Sequence, residues 1–479
     1  QFDNRYLGRY VQYFSNATAE NEWDRYGYVA NNDQGGEIWK MAYFSLGLNI
    51  TRMQEKAVAE ERHDITGMAK VIRAWSWQVA TDYHSELIDF DQAFTQRMSF
   101  DYVGQEKVYA EILRLINEGV TDLARTDGKV SASYAAVGDK MYNGDRAKWT
   151  KFAWGIVARN LNNQINKSTY NADAVIAACD KSLASNTDNA LINYNGSVSA
   201  DSNFNGPGRN NISLFRQTDF MVRVMDGTVF TGAVDPRMSR ILAPSIGLSE
   251  ASPASTAIPD PTKYTFVGNP LNTTASSTTS PSRIPNLWGT FSTGTVTTPG
   301  RYIFRDKASF PIMTYAEIQF IKAEAAFKKG DKTLALAAYK KGIEASIDFV
   351  NLNTVVSTSY PITSAITATE KNTFLANLNV VPAEANLTMS HIILQKYISL
   401  FGFGNLEAWT DMRKYHYDNV NIYKTMAFPT LLFADNGGKL PYRVRPRFNS
   451  EYVWNFASLQ AIGADKVEYH TVEMWFSKP

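Results

Sequence analysis

Two segments of this 479-residue chain combine flat aromatic rings with hydrogen-bonding side chains in polar surroundings. The first, residues 21–37, reads NEWDRYGYVANNDQGGE. A sugar presents an apolar C–H face and a rim of hydroxyls, so a sugar site needs a flat ring flanked by amides, carboxylates or guanidinium groups. The predicted ligand-binding residues of this segment are Trp23, Tyr26, Tyr28, Asn31 and Asp33. For Trp23, ordinary packing in the core is the alternative interpretation.

The second segment, residues 283–307, reads RIPNLWGTFSTGTVTTPGRYIFRDK. It offers two large rings and a guanidinium group, and we predict Trp288, Arg301 and Tyr302 as further ligand-binding residues. The alternative is a hairpin folded back on the rest of the protein. That alternative fits Phe291 and Phe304 better than it fits Trp288.

Residue patterns that would indicate catalysis or metal binding are missing from the sequence. The five histidines are scattered singly, and there is no HExxH, GxSxG, P-loop or EF-hand pattern. We therefore predict no catalytic residue, no metal site and no cofactor. Paired acids such as Asp89 and Asp91 leave a glycosidase open, because carboxylate separation is a three-dimensional property. The single cysteine, Cys179, is interpreted as a small buried apolar residue.

The charge balance excludes one broad class of partner. The chain has 48 Lys and Arg against 47 Asp and Glu, for a net charge of +1. It lacks the dense basic runs of a nucleic-acid-binding protein. It also lacks an apolar run of the roughly 20 residues that a membrane span needs. With 44% hydrophobic and 13% aromatic residues, the composition predicts a globular protein.

Residues 313–349 carry the clearest structural pattern in the sequence. Two helical stretches meet at Gly330, and apolar residues recur at steps of three and four, for example at Ile318, Ile321 and Ala325. This pattern is typical of a helix hairpin of tetratricopeptide type. Because one hairpin cannot bury its own apolar stripe, other hairpins are expected to flank it.

Further helical spacing is found at residues 37–59, 64–83, 145–164, 171–185 and 389–415. Residues 190–305 are instead rich in Asn, Gly, Ser, Thr and Pro, and little helix is expected between residues 244 and 300. The predicted fold is mainly α, a tetratricopeptide-like scaffold of helical hairpins with a large, loop-rich, irregular face. Residues of the helical segments are expected in the interior: Trp75, Trp77, Trp149, Trp154, Trp409, Arg73, Arg159, Asp235 and Arg413.

The order of several segments resembles the SusD/RagB family of outer-membrane nutrient-binding lipoproteins. The matching pieces are EIWKMAYFSLGLN, GMAKVIRAWSWQVATDYHSEL, MYNGDRAKWTKFAWGIVARNL, DPRMSRIL, the hairpin described above, QKYISLFGFGNLEAWTDMRKY and LPYRVRPRFNSEYVWN. Two features depart from the family. The N-terminal lipobox cysteine is absent, and residues 84–86, His-Ser-Glu, stand where many relatives have a Gly-rich turn.

The resemblance implies a single SusD-like domain over residues 1–479. Its expected parts are N-terminal helical hairpins (1–189), a loop-rich insertion on the binding face (190–312), and the tetratricopeptide-like hairpin with C-terminal helices and loops (313–479). In relatives, the loop before the first long helix supplies part of the ligand platform. The implied location is the cell surface of the outer membrane, with a signal peptide and a lipid-anchor cysteine outside these residues.

The resemblance also implies a binding protein without enzymatic activity. Its ligand would be an oligosaccharide or polysaccharide, and its partner a SusC-like TonB-dependent barrel transporter that takes up the nutrient; nucleic acid is not an expected partner. Two alternatives stay open at this point. The same transport role could serve peptides, or the chain could be a tetratricopeptide scaffold that binds only proteins.

Overall fold

The computed structural model describes residues 2–245, 264–275, 283–290, 300–358 and 362–479. Its α-helices are short to medium in length and follow one another along most of the chain. In chain order they are α1 (Asn4–Tyr10), α2 (Glu37–Lys40), α3 (Gly47–Ala59), α4 (His63–His84), α5 (Gln105–Ala124), α6 (Ala132–Ala136), α7 (Arg146–Asn163), α8 (Ala172–Lys181), α9 (Asp219–Arg223), α10 (Met238–Ile241), α11 (Tyr315–Lys329), α12 (Lys332–Asn353), α13 (Ala368–Ala376), α14 (Met389–Ser399), α15 (Asn405–Lys414) and α16 (Phe456–Ala461).

Strands are few and short in the described part of the chain. They are β1 (Phe14–Asn16), β2 (Leu87–Ile88), β3 (Tyr102–Val103), β4 (Ala190–Ile192), β5 (Phe215–Gln217) and β6 (Phe310–Met313). They form three two-stranded sheets, β1 with β5, β2 with β3, and β4 with β6. The first two pairs are antiparallel, with Ser15 opposite Arg216 and Leu87 opposite Val103. A mainly α fold with a tetratricopeptide-like hairpin is therefore confirmed.

The chain forms two compact units, and neither is continuous in sequence. Unit 1 contains residues 1–25, 191–408 and 418–431, and unit 2 contains residues 26–190, 409–417 and 432–479. One boundary lies between Ala190 and Leu191, close to the end of the expected N-terminal part, whereas residue 313 lies inside unit 1. The assignment of the whole chain to one SusD-like domain stays a prediction.

The helix hairpin of unit 1 is formed by α11 and α12. Thr314 accepts a hydrogen bond from the backbone N–H of Glu317 and so caps the start of α11. Gly330 ends that helix in the left-handed conformation, with φ of 91°, and Asp331 caps α12. A Cβ at Gly342 would lie 2.9 Å from the Phe320 ring, so the two helices pack in close contact there. The hairpin predicted for residues 313–349 is confirmed.

The helices of unit 2 pack as neighbouring pairs, α3 with α4, α4 with α5, and α7 with α8. Gly67 on α4 and Gly119 on α5 face each other, and a Cβ at Gly67 would lie 2.8 Å from the Gly119 carbonyl oxygen. The absence of side chains at these two positions lets the helix backbones approach closely. The helices predicted for residues 64–83, 145–164 and 171–185 are confirmed within a few residues.

Two expectations need correction. Residues 37–59 do not form one continuous helix, because a π-helical segment (Met41–Ser45) separates α2 from α3. Of the five tryptophans expected inside, Trp75 and Trp154 are only half-buried, whereas the other three are buried: Trp77, Trp149 and Trp409. The described residues between 244 and 300 contain no helix, as predicted. The rest of that range lies outside the described residues.

A fully buried arginine connects the helices of unit 1. The Arg237 guanidinium forms an ion pair with Asp235, with Nε 2.9 Å from Oδ1 and Nη2 2.5 Å from Oδ2. It also donates to Ser346 Oγ on α12, at 2.8 Å, and to Gln395 Oε1 on α14. One side chain thus connects the turn before α10 to both α12 and α14. The expectation that Asp235 pairs inside the fold is confirmed.

Unit 2 has its own fully buried arginine, Arg413. Its Nη1 donates to the backbone oxygens of Asp82, at 2.6 Å, and Tyr442, at 2.9 Å. Its guanidinium carbon lies 3.8 Å from the centre of the Trp409 ring. Burial lowers the pKa of Arg413 to about 10, so the side chain is still charged at pH 7. The interior position predicted for Arg413 is confirmed.

We expect Asp235→Ala to lower the free energy of unfolding by about 3–5 kcal/mol, because it leaves the Arg237 charge buried without its partner. The matched control is Asp127→Ala. Asp127 pairs with Arg125 at 2.6 Å on the surface, where solvent screens the pair. Urea unfolding of both variants measures the difference. Equal stability of the two variants would show that Asp235 does not support the buried charge.

Candidate functional site

The aromatic residues of the first predicted segment lie inside the protein. Trp23 has no exposed surface, and its ring stacks on Tyr6 of α1 at 4.4 Å and contacts Tyr10 at 5.5 Å. Packing in the core, the alternative interpretation of Trp23, is therefore its observed state, and its ligand-binding role stays a prediction. The physical reason is that α1, whose apolar face carries these tyrosines, covers the ring.

Tyr26 and Tyr28 of the same segment are buried in unit 2. The Tyr26 backbone oxygen accepts a hydrogen bond from Asn436 Nδ2 at 3.0 Å. The Tyr28 hydroxyl donates to Asp435 Oδ2 at 2.6 Å, and the Arg445 guanidinium lies 4.2 Å from the centre of its ring. Burial, together with that hydrogen bond, raises the pKa of Tyr28 well above its usual value. Both tyrosines thus attach this loop to the 435–445 segment.

The described residues of the second predicted segment also turn their large side chains inward, within unit 1. Trp288 is 2% exposed and donates from Nε1 to the Asn205 backbone oxygen at 2.7 Å. Tyr302 packs against the Phe349 ring at 6.2 Å. Buried neighbours of Tyr302 are Arg301 and Phe304. Packing is thus the observed state of Phe304, as the alternative interpretation held, and Phe291 lies outside the described residues.

Asn31 and Asp33 are the two predicted site residues that reach solvent. Asn31 is exposed at a left-handed position with φ of 59°, and Asp33 is half-buried. Asp33 accepts hydrogen bonds from Asn449, from the backbone N–H at 2.9 Å and from Nδ2 at 2.8 Å. It also forms an ion pair with Arg447. Asp33 therefore holds the 447–449 segment against the loop of residues 28–36.

An aromatic platform missed by the sequence analysis follows directly after that segment. Trp454 is 74% exposed, which is exceptional in a chain whose other large rings are mostly packed. It follows the π-helical segment Phe448–Tyr452, about one turn beyond Asn449. One indication of its importance was present in the sequence, its place in the closing segment that resembles the family. Its exposure could not be predicted, because a tryptophan is more often a core residue.

Two buried polar residues fix the position of Trp454. Glu451 accepts a hydrogen bond from Trp39 Nε1 at 3.0 Å and another from the Tyr102 hydroxyl. Asn455 pairs with the backbone of Phe100 in both directions, each at 3.0 Å. The exposed indole is therefore carried on a segment whose neighbours on both sides are held by hydrogen bonds.

Solvent-accessible residues also occur on the two segments of unit 2 that hydrogen-bond to the segment carrying Trp454. Met98, in the loop that leads to Phe100, is 87% exposed. We call these residues together with Trp454 the Trp454 face: Asn31, Asp33, Met98, Asn449 and Trp454. It combines a flat ring and a thioether with amide and carboxylate groups. This is the combination of apolar and polar groups that a sugar ring requires.

The described residues provide little for catalysis or metal binding. Within the described ranges no group of three or more His, Cys, Asp or Glu side chains is placed to hold a metal ion. Asp89 accepts a hydrogen bond from the Asp91 backbone N–H at 3.0 Å and lies 3.5 Å from Lys107, so it serves a turn. In the same part of the chain, no helix has the length and apolar character to cross a membrane.

Comparisons with known proteins agree on one family. Residues 3–445 match the SusD-like family, described as starch-binding and associating with the outer membrane. A SusD/RagB family protein from Bacteroides thetaiotaomicron is 21% identical, with a TM-score of 0.69 over 99% of this chain and 94% of that one. A SusD homolog from Bacteroides fragilis is 20% identical, with a TM-score of 0.72 over 100% and 98%.

A third similar structure is that of a chitin-binding protein, 19% identical, with a TM-score of 0.73 over 99% of this chain and 96% of that one. At these identities the likeness shows a shared fold. No curated protein matches the sequence.

The two classes of tryptophan should respond differently to truncation. We expect Trp23→Ala to lower the free energy of unfolding by about 3–5 kcal/mol, because it leaves a cavity among packed rings. Trp454→Ala should leave the melting temperature within a degree or two of wild type, since an exposed ring leaves no cavity. Differential scanning calorimetry measures both. A stable Trp23→Ala variant would mean that the Trp23 ring is not packed in solution.

The buried His84 predicts a pH dependence of stability. Its Nδ1 donates to the Val444 backbone oxygen at 3.0 Å, and burial lowers its pKa to about 4. In the unfolded chain a histidine binds its proton near pH 6.5, so the unfolded state gains protons first as the pH falls. Between pH 7 and pH 4, wild type should lose about 3 kcal/mol more of unfolding free energy than His84→Gln. Urea unfolding at each pH measures the difference, and parallel pH profiles of unfolding free energy for the two proteins would contradict this.

Proposed function

The chain belongs to the SusD-like family, and from that premise we propose that it is a cell-surface protein that binds glycans for uptake through a TonB-dependent outer-membrane barrel transporter. The family description, starch-binding and associating with the outer membrane, supports the ligand class and the location. A chitin-binding protein of the same fold supports a polysaccharide ligand. A lipid anchor would hold the chain at the membrane, and a SusC-like barrel would be its partner.

We propose the Trp454 face as the glycan site. The observation that carries this assignment is the 74% exposure of Trp454 on a segment fixed by Glu451 and Asn455. Because the backbone on both sides of the ring is held, stacking on a sugar orders only the side-chain torsions of Trp454, so more of the contact energy appears as affinity. Asn31, Asp33 and Asn449 supply hydrogen-bonding groups for hydroxyls on the same unit.

The other predicted site residues do not enter this proposal as direct contacts. Trp23, Tyr26, Tyr28, Trp288, Arg301 and Tyr302 are at most 7% exposed, so they would need a rearrangement to touch a ligand. In the proposal the chain holds its ligand without cleaving it. Membership in a family described as starch-binding supports this.

We expect Trp454→Ala to weaken binding of starch or chitin oligosaccharides by severalfold to about tenfold. A stacked ring adds about 0.5–1.5 kcal/mol beyond its burial, and 1.4 kcal/mol is a factor of ten in affinity. Trp454→Tyr should restore part of the loss because it keeps a flat ring. Calorimetric titration with each oligosaccharide measures the affinities.

The matched control is Tyr134→Ala. Tyr134 is a 58% exposed ring on α6, lies under Arg62, and is not part of the Trp454 face. Its removal should leave glycan affinity unchanged. Equal losses in both variants would show a nonspecific surface effect. Capture of peptides from a defined pool, with no glycan bound by wild type, would favour the peptide ligand instead.

A further inference from the structure

Unit 1 contains a cleft of about 380 Å³ that is unrelated to the Trp454 face. Volumes of roughly 300–1,000 Å³ are typical of small-molecule sites. The residues that line the cleft include both apolar and polar side chains. They are Val229, Phe230, Thr231, Leu378, Asn379, Pro382, Ala383, Asn386, Ser390, His391, Leu394 and Lys424.

Hydrogen bonds at the start of α14 determine the tautomer of His391. The backbone N–H of Thr388 donates to His391 Nδ1 at 3.3 Å, and the Thr388 hydroxyl lies 2.7 Å from the same nitrogen. A ring nitrogen that accepts a backbone N–H carries no proton, so in the neutral ring the proton is on Nε2. Burial, with a smaller effect of Lys424, lowers the pKa of His391 to about 4, and the ring is neutral at pH 7.

The cleft is therefore supplied with donors. His391 offers its Nε2–H, and Ser390 and His391 both lie in the first turn of α14, where the helix dipole favours negative charge. Lys424 is the only charged residue among the described residues of the lining, and it is exposed. A neutral donor, a helix start and one ammonium group together favour a carboxylate.

The apolar residues of the lining favour a ligand in which the carboxylate is attached to a ring. Phe230 is 5% exposed and its ring centre lies 6.3 Å from that of His391. Leu378 is 73% exposed and borders the cleft. The amide of Asn379 donates to the Thr231 oxygen at 2.8 Å, which leaves its carbonyl for a hydroxyl.

We propose that this cleft is a second binding site, one that takes a carboxylate-bearing sugar ring of the uronic acid class. Lys424 pairs with the carboxylate, His391 Nε2–H donates to it, and the exposed Leu378 side chain contacts the C–H face of the ring. The site lies entirely within unit 1 and does not depend on the glycan proposal for unit 2.

The probes that test this inference are D-glucuronate, neutral D-glucose and acetate. Wild type should bind glucuronate more tightly than either, because glucose lacks the charge and acetate lacks the ring. Lys424→Gln should weaken glucuronate binding by about two- to fivefold, as expected for one lost ion pair at an exposed lysine. The control Lys439→Gln removes an exposed lysine of unit 2 and the same charge, and it should have no effect.

His391→Gln tests the second donor without removing the helix cap, because Gln at this position can keep the reciprocal hydrogen bond of a capping box. It should weaken glucuronate binding while the melting temperature stays near that of wild type. In an NMR titration of labelled histidine, one of the five rings should shift with glucuronate, and His391→Gln identifies it.

Equal affinity for glucuronate and glucose, or no binding of glucuronate by wild type, would overturn the proposal. Unchanged affinity in Lys424→Gln would also overturn it. Trp454→Ala separates the two sites, because it should reduce oligosaccharide binding and leave glucuronate binding intact. A loss of glucuronate binding in Trp454→Ala would place that ligand on the Trp454 face and contradict the cleft.

Discussion

Each compact unit depends on a guanidinium group that is fully removed from water. A buried charge is destabilising unless hydrogen bonds replace its hydration, and five N–H donors in a rigid fork can satisfy acceptors from several segments at once. Arg237 does this for the turn before α10 and for α12 and α14, whereas Arg413 connects the end of α4 to the C-terminal segments. These short helices have little stability of their own, so such connections specify how each unit packs.

The candidate glycan site uses the same principle near the surface of unit 2. The buried Glu451 carboxylate accepts hydrogen bonds from Trp39 and Tyr102. One carboxylate therefore holds both α2 and β3 in place. Asn455 holds the loop of Phe100. The exposed Trp454 stands between these two attachments. The backbone of this candidate surface is held from below by buried groups, which suits the proposed role in glycan binding.

The chain has many aromatic residues, and most of the large rings are used for packing. This explains why the large rings of segments 21–37 and 283–307 that the structure describes are buried, although their residue types predicted a ligand site. Aromatic rings next to polar groups are what a sugar site needs, but a buried tyrosine or tryptophan also needs a polar partner for its own hydroxyl or indole N–H. Tyr28 with Asp435, and Trp288 with the Asn205 oxygen, satisfy that need inside the fold. An aromatic residue in a sugar site and a buried one with a polar partner therefore have similar neighbours in the sequence.

The sequence by itself determined the helices, the hairpin of α11 and α12, and the family, because these depend on local spacing and on nearby residues such as Thr314 and Gly330. It also placed Arg413 and Asp235 in the interior. Only the tertiary structure decided which tryptophan is exposed. Trp23 is covered by α1, whereas Trp454 stays in solvent since the contacts of Glu451 and Asn455 turn it outward. Burial is set by tertiary contacts, some of them between residues hundreds of positions apart, such as Trp39 with Glu451, and local sequence patterns do not reveal such contacts.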